Sequence, residues 1–271
     1  MKAQWQKYLA ELLGTFALVW VGSAAIISLL KANFDAGILI TVPFPFGLAL
    51  LAGLYAFAEM SGGHFNPAVS LALFLDRRLS VLDLVAYWLF QFVGAIAASA
   101  VLVLTFDKAA VKSTATVPGF GKGPAVVYEI ILTALFVLVI LQVTKSGKFG
   151  TSALVAIPLT LVAIHVAAIP ISGASVNPAR SLGPALIGDR WDSFWIYLLG
   201  PTAGAILGWL IHTIVVEGDT DIKGEIAVAA AEVESEIHGA GMAVSDDEPD
   251  PSEFGGDADT AEGETSGDEK T

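Results

Sequence analysis

Two short stretches carry the strongest chemical signal in this chain: Asn66-Pro67-Ala68 and Asn177-Pro178-Ala179, the second followed directly by Arg180. An Asn carboxamide donates and accepts hydrogen bonds, and Arg presents five donors on a charge it does not lose. Neither is a nucleophile or a general base, so these groups suit the binding and orientation of small polar molecules rather than the making of bonds. The chain has no cysteine, which excludes disulfides, thiolate nucleophiles and Cys-based metal sites. No nucleophile is paired with a base, and no cluster has metal-ligand spacing; the reading is therefore not an enzyme, with no cofactor and no metal.

Each Asn-Pro-Ala sits inside a longer repeat. Ser61 to Leu71 reads SGGHFNPAVSL and Ser172 to Leu182 reads SGASVNPARSL, so S-G-x-x-x-N-P-A-x-S-L occurs twice. A similar offset, about 110 positions, relates Tyr87, Leu89, Gly94 and Ala95 to Tyr197, Leu199, Gly204 and Ala205, and Glu11 has a counterpart in Glu129. The chain is a tandem duplication.

The elements that position these residues belong in a membrane. The 271 residues are 55% hydrophobic and 15% charged, with mean hydropathy +0.69, more apolar than a soluble core requires. A bilayer-spanning helix needs about 20 apolar residues. Six stretches qualify, roughly 8–30, 37–58, 83–106, 124–144, 151–171 and 193–216. The first reads as a span rather than a signal peptide, because it is long enough to cross, is interrupted by Glu11 and is followed by further spans. Two apolar stretches, 66–75 and 177–187, are about half that length and read as half-helices.

Asn is a favoured N-cap and Pro a favoured first helical residue, so each half-helix is expected to start at its Asn after an extended, Gly-containing loop. Three spans per half force the second half into the membrane from the opposite side. The two half-helices then meet N-terminus to N-terminus near the midplane. Non-helical backbone at that depth must be buried in protein or line water, which assigns the carbonyls of Gly62, Gly63, His64, Gly173, Ala174 and Ser175 to a pore. Each half-helix end carries roughly half a positive charge, which would repel cations.

The formal charge of −13 belongs to one end: residues 1–216 carry +3 and residues 217–271 carry −16. This divides the chain into a channel domain, 1–216, with repeat halves 1–115 and 116–216, and an acidic tail, 217–271. The tail's composition reads as largely disordered, with a short helix over 226–237 compatible with it. Loop cations number six on one side and five on the other once Arg180 is set aside, so they do not orient the chain.

The duplicated motif, carried on short apolar segments of a six-span chain, resembles the major intrinsic protein family, the aquaporins, from about Tyr8 to Val216. That resemblance implies an all-α membrane fold of six transmembrane helices and two re-entrant half-helices in an inverted repeat. It also implies one pore per subunit, a homotetramer, and a multi-pass protein of the cell membrane with both termini cytoplasmic. In the family, Asn66 and Asn177 would donate hydrogen bonds to a passing water, Phe46, His165, Ala174 and Arg180 would form the constriction, and Glu11 and Glu129 would accept hydrogen bonds from the re-entrant loops. Phe46 and His165 beside Arg180, with Ser181 and Ala185, resemble the water-selective members, whereas Leu198 after Tyr197 is closer to the glycerol pattern. The expected function is passive conduction of water with exclusion of protons and ions. The alternatives are a channel for glycerol or other small neutral solutes and, from a different class, an inverted-repeat secondary transporter. The expected partners are water, small neutral solutes and the lipid bilayer, with no nucleic acid.

Overall fold

The computed structural model describes residues 4–34, 37–145, 150–216, 218 and 222–245, and within them the chain is helical with connecting turns. In chain order the helices are α1 (Gln4–Lys31), α2 (Ile38–Thr41), α3 (Pro43–Ser61), α4 (Pro67–Leu75), α5 (Val81–Thr105), α6 (Lys108–Ser113), α7 (Lys122–Lys145), α8 (Ala153–Ser172), α9 (Pro178–Gly188), α10 (Trp195–Ile211) and α11 (Ile222–Ser245). Six helical segments are long and apolar enough to cross a membrane: α1, α3, α5, α7, α8 with the turn before it, and α10 with the π-helical turn His212–Val216. The protein is an integral multi-pass membrane protein.

The second span differs from its expected extent. The stretch 37–58 divides at Val42 into α2 and α3, because Pro43 and Pro45 supply no N–H to the carbonyls one turn earlier. Pro43 instead occupies the first turn of α3 and places Phe46 close behind it.

The half-helices α4 and α9 have 9 and 11 residues. Asn66 and Asn177 cap them in extended conformation (φ −157° and −152°), each followed by Pro. The helices before them stop where Gly62 (φ 89°) and Gly173 (φ 83°) take left-handed backbone that a Cβ would oppose.

Close helix crossings hold the bundle together, since lipid gives apolar helices little reason to associate and small residues let backbones approach. Gly94 of α5 lies against the Leu12 carbonyl and Phe16 amide of α1, and its repeat counterpart Gly204 of α10 lies against the Ile130 carbonyl and Thr133 of α7. The duplication is therefore one of packing as well as of sequence.

In the tail, α11 runs from Ile222 to Ser245, beyond the 226–237 helix expected. Its run of Ala and Glu around 229–236 favours helix, and Glu236 accepts a 3.3 Å hydrogen bond from the Leu82 amide in the first turn of α5. The expectation of disorder for 246–271 lies outside the described residues.

A methyl group at position 94 must separate two helices. Gly94→Ala is expected to cost about 1–3 kcal/mol, read as a lower thermal midpoint in detergent, while Gly123→Ala in α7, where nothing lies within 4 Å, does not lower the midpoint. Equal midpoints for Gly94→Ala and the parent would show that the crossing is loose.

Candidate functional site

The site is built around two loops, 62–66 and 173–177, that run through the interior of the bundle and make helical hydrogen bonds only at their ends, from the Gly62 and Gly173 amides and to the Asn66 and Asn177 carbonyls. Phe65 (φ 48°), Ala174 (φ 49°) and Val176 (φ 44°) all adopt left-handed backbone, which is costly for a β-branched residue such as Val176. Two fully buried carboxylates hold these conformations. Glu11 Oε1 accepts from Ser61 Oγ (2.6 Å) and His64 N (2.9 Å), and its Oε2 from Phe65 N (2.6 Å) and Gln91 Nε2 (2.7 Å). Glu129 Oε1 accepts from Ser172 Oγ (2.7 Å) and Ser175 N (2.9 Å), and its Oε2 from Val176 N (2.7 Å). Tyr87 and Tyr197 donate to the Ser61 and Ser172 carbonyls, at 2.7 and 2.8 Å.

The two Asn side chains join the loops across the midplane. Asn66 Oδ1 accepts from Ala68 N (2.9 Å), which turns its amide nitrogen toward the Val176 carbonyl (2.8 Å). Asn177 Oδ1 accepts from Ala179 N (3.0 Å) and Arg180 N (3.2 Å), and its Nδ2 donates to the Phe65 carbonyl (2.9 Å). An amide nitrogen carries two hydrogens, so each Asn keeps one donor beyond the bond that locks it. Both Asn line the same narrow cavity, about 20 Å³ in volume, room for about one water.

Phe46, His165 and Arg180 line that cavity too. The Phe46 and His165 rings stack at 4.8 Å between centroids, and the Arg180 guanidinium carbon stands 4.9 Å from the centre of the Phe46 ring, a cation–π contact. His165 Nδ1 bonds the Leu161 carbonyl at 2.9 Å. A carbonyl only accepts, so Nδ1 carries the hydrogen and Nε2 of the neutral ring is an acceptor. Arg180 Nη1 donates to the Thr114 carbonyl at 3.3 Å. His165 Nε2 and Arg180 Nε are buried with no protein partner, on two polar side chains that line the cavity beside an apolar ring.

Wider spaces open at both ends. His64, Leu50 and Phe136 belong both to the narrow cavity and to a space of about 430 Å³ bordered by Gly62, Gly63, Lys7, Arg78 and Asp83. Arg180 belongs both to the narrow cavity and to a space of about 270 Å³ bordered by Thr114, Thr116 and Gly173. The path is an hourglass whose waist holds Asn66, Asn177 and the Phe46–His165–Arg180 group.

Of the residues expected at the pore, Ser175 and His64 line the waist, and Gly62, Gly63 and Gly173 border the wide ends. Ala174 is fully buried between Gly173 and Ser175 and lines none of these spaces. Pro67, Ala68, Pro178 and Ala179 are buried in the first turns of the half-helices. Leu198 is 38% exposed on α10 and borders no part of the path. Sequence reasoning did not find Gln91, the fourth donor to Glu11, or the Thr114 carbonyl that steadies Arg180. Tyr87 and Tyr197 carried a signal in their repeated spacing; Thr114 carried none.

The model of the major intrinsic protein family matches residues 1–212. Aquaporin Z of Brucella melitensis is 39% identical over 219 residues, which are 76% of this chain and 95% of that one. Glycerol uptake facilitator protein-like 6 of Lactiplantibacillus plantarum is 38% identical over 209 residues, 74% of this chain and 94% of that one. The X-ray structure of the aquaglyceroporin from Plasmodium falciparum shares the fold, with a TM-score of 0.70 at 24% identity, over 79% of this chain and 97% of that one. With its duplicated Asn-capped half-helices in a bundle of six spans, the chain belongs to the major intrinsic protein family of membrane channels.

Proposed function

We propose that this protein conducts water passively and excludes protons and other ions. The observation that carries the reading is the waist: a cavity of about 20 Å³ whose lining includes Phe46, His165 and Arg180 together with Asn66 and Asn177. A single water matches that volume and can accept from the free N–H of Asn66 or Asn177. A carbon chain needs more room.

Ion exclusion rests on electrostatics. The N-termini of α4 and α9 each carry roughly half a positive charge, and Arg180 adds a full one beside them, so a cation entering the waist meets repulsion from both sides. Asn66 and Asn177 each keep a free N–H donor, while each Oδ1 is drawn back toward the first turn of its own helix. A water there must turn its oxygen toward them, which interrupts a uniformly oriented hydrogen-bonded file of the kind that would relay protons.

A second reading, conduction of glycerol or another small neutral solute, is favoured by the 38% identity to the glycerol uptake facilitator-like protein. Leu198 adds little to it, because that residue lines neither the waist nor the wider spaces at its ends. Coupled transport is disfavoured, since Glu11 and Glu129, the two fully buried carboxylates of the loop scaffold, are already occupied by loop amides and hydroxyls. By family resemblance the assembly is a homotetramer in the cell membrane with both termini in the cytoplasm. Cross-linking and protease accessibility in intact cells test those points.

Stopped-flow light scattering of proteoliposomes is expected to give osmotic water flux far above glycerol flux. Comparable fluxes would establish the second reading. Replacing the ring as Phe46→Ala with His165→Gly is expected to raise glycerol flux at least about tenfold, because both substitutions remove bulk from one waist. Unchanged glycerol exclusion would place the barrier elsewhere.

A further inference from the structure

Gly22 of α1 faces the edge of the Phe46 ring with no side chain between them. A methyl built on Gly22 collides with Cε1, Cζ and Cδ1 of that ring, and the three atoms nearest to it all belong to Phe46. The ring has few places to go. His165 and Arg180 stand at 4.8 and 4.9 Å from its centre, and both are buried. The backbone behind Phe46 is also fixed, for at Gly47 a methyl would meet Val162 and, at 3.0 Å, the Pro158 carbonyl, so α3 is already close against α8. The narrow cavity that Phe46 itself lines is free space open to a displaced ring.

We propose that Gly22 is the positioning residue that sets the aperture of the channel. Its missing side chain is the seat into which the edge of Phe46 is drawn back, and that seat, rather than Phe46 alone, fixes how wide a neutral solute can pass. The role differs from that of a glycine at a helix crossing, where a methyl meets backbone of the neighbouring helix, as at Gly94. At Gly22 the methyl meets the ring of a waist residue. The inference rests on the waist assigned under the proposed function.

The test uses four full-length proteins in proteoliposomes: the parent, Gly22→Ala, Phe46→Ala, and the double variant. Water and glycerol fluxes are recorded for each, and the solute that the parent passes is the readout. A parent that prefers glycerol thus corrects the proposed permeant and still leaves the Gly22 comparison readable. Gly22→Ala is expected to lower the flux about tenfold or more, and the double variant to recover the flux of Phe46→Ala, since removing the ring removes what the methyl strikes. A role for Gly22 in helix packing alone would give no such recovery. Folded Gly22→Ala with parental flux overturns the proposal, as does a double variant that stays as low as Gly22→Ala. Should Gly22→Ala fail to fold, the double variant decides: folding and conduction support the seat, and failure to fold shows that the methyl strikes something other than Phe46.

Discussion

Four backbone amides, those of His64, Phe65, Ser175 and Val176, lie inside the bundle with no helical carbonyl to bond, and lipid offers none. Glu11 and Glu129 accept all four. An unsatisfied buried amide costs about 1–3 kcal/mol, and a buried carboxylate without partners costs more; each group here answers the need of the other. Because those amides are held, Phe65 and Val176 stay in left-handed backbone with their carbonyls aimed at the opposite Asn. Because those carbonyls are so placed, Asn177 and Asn66 bind across the midplane, and α4 and α9 face each other end to end. The position of the waist follows from that chain of bonds.

The duplication builds the scaffold, and function enters where the two copies differ. Glu11 and Glu129, Ser61 and Ser172, Tyr87 and Tyr197, and Asn66 and Asn177 make equivalent bonds. The residue after the first Asn-Pro-Ala is Val69, buried against apolar neighbours, whereas the residue after the second is Arg180. Two positions before the Asn stand His64 in one half and Ser175 in the other. These exchanges put the cation on the side of the 270 Å³ space and an imidazole on the side of the 430 Å³ space. A symmetric frame thereby carries an asymmetric path.

The spans, the half-helices and the inverted repeat were legible because each rests on a local rule: apolar length, Asn as a cap, Pro in the first turn, an odd number of crossings. Phe46 and His165 lie 20 and 12 positions before their Asn residues, and no local rule joins them to the waist; the family resemblance supplied the link. The break at Val42 was only half visible, since two prolines announce a disturbance without fixing its form. Contacts made by shape alone were not legible at all. Gly22 looks like an ordinary small residue in a span until the edge of Phe46 is seen against it, and the bond from Arg180 to the Thr114 carbonyl depends on a connector whose path no motif marks. The full extent of α11 is masked in the sequence by its acidic composition, whereas the alanines at 229–231 carry the helix propensity.

The most direct measurement is amide hydrogen exchange at Ser175 and Val176 in proteoliposomes, comparing the parent protein with Glu129→Gln. The glutamine keeps the size of the side chain but replaces one accepting oxygen with a donor, so one of the loop amides loses its partner. If the carboxylate is what holds the loop, both amides are protected in the parent despite lying beside the conducting path, and protection falls in Glu129→Gln together with solute flux. Fast exchange in the parent, or equal protection and flux in the two proteins, would contradict the account, because the loop would then hold its shape without the carboxylate.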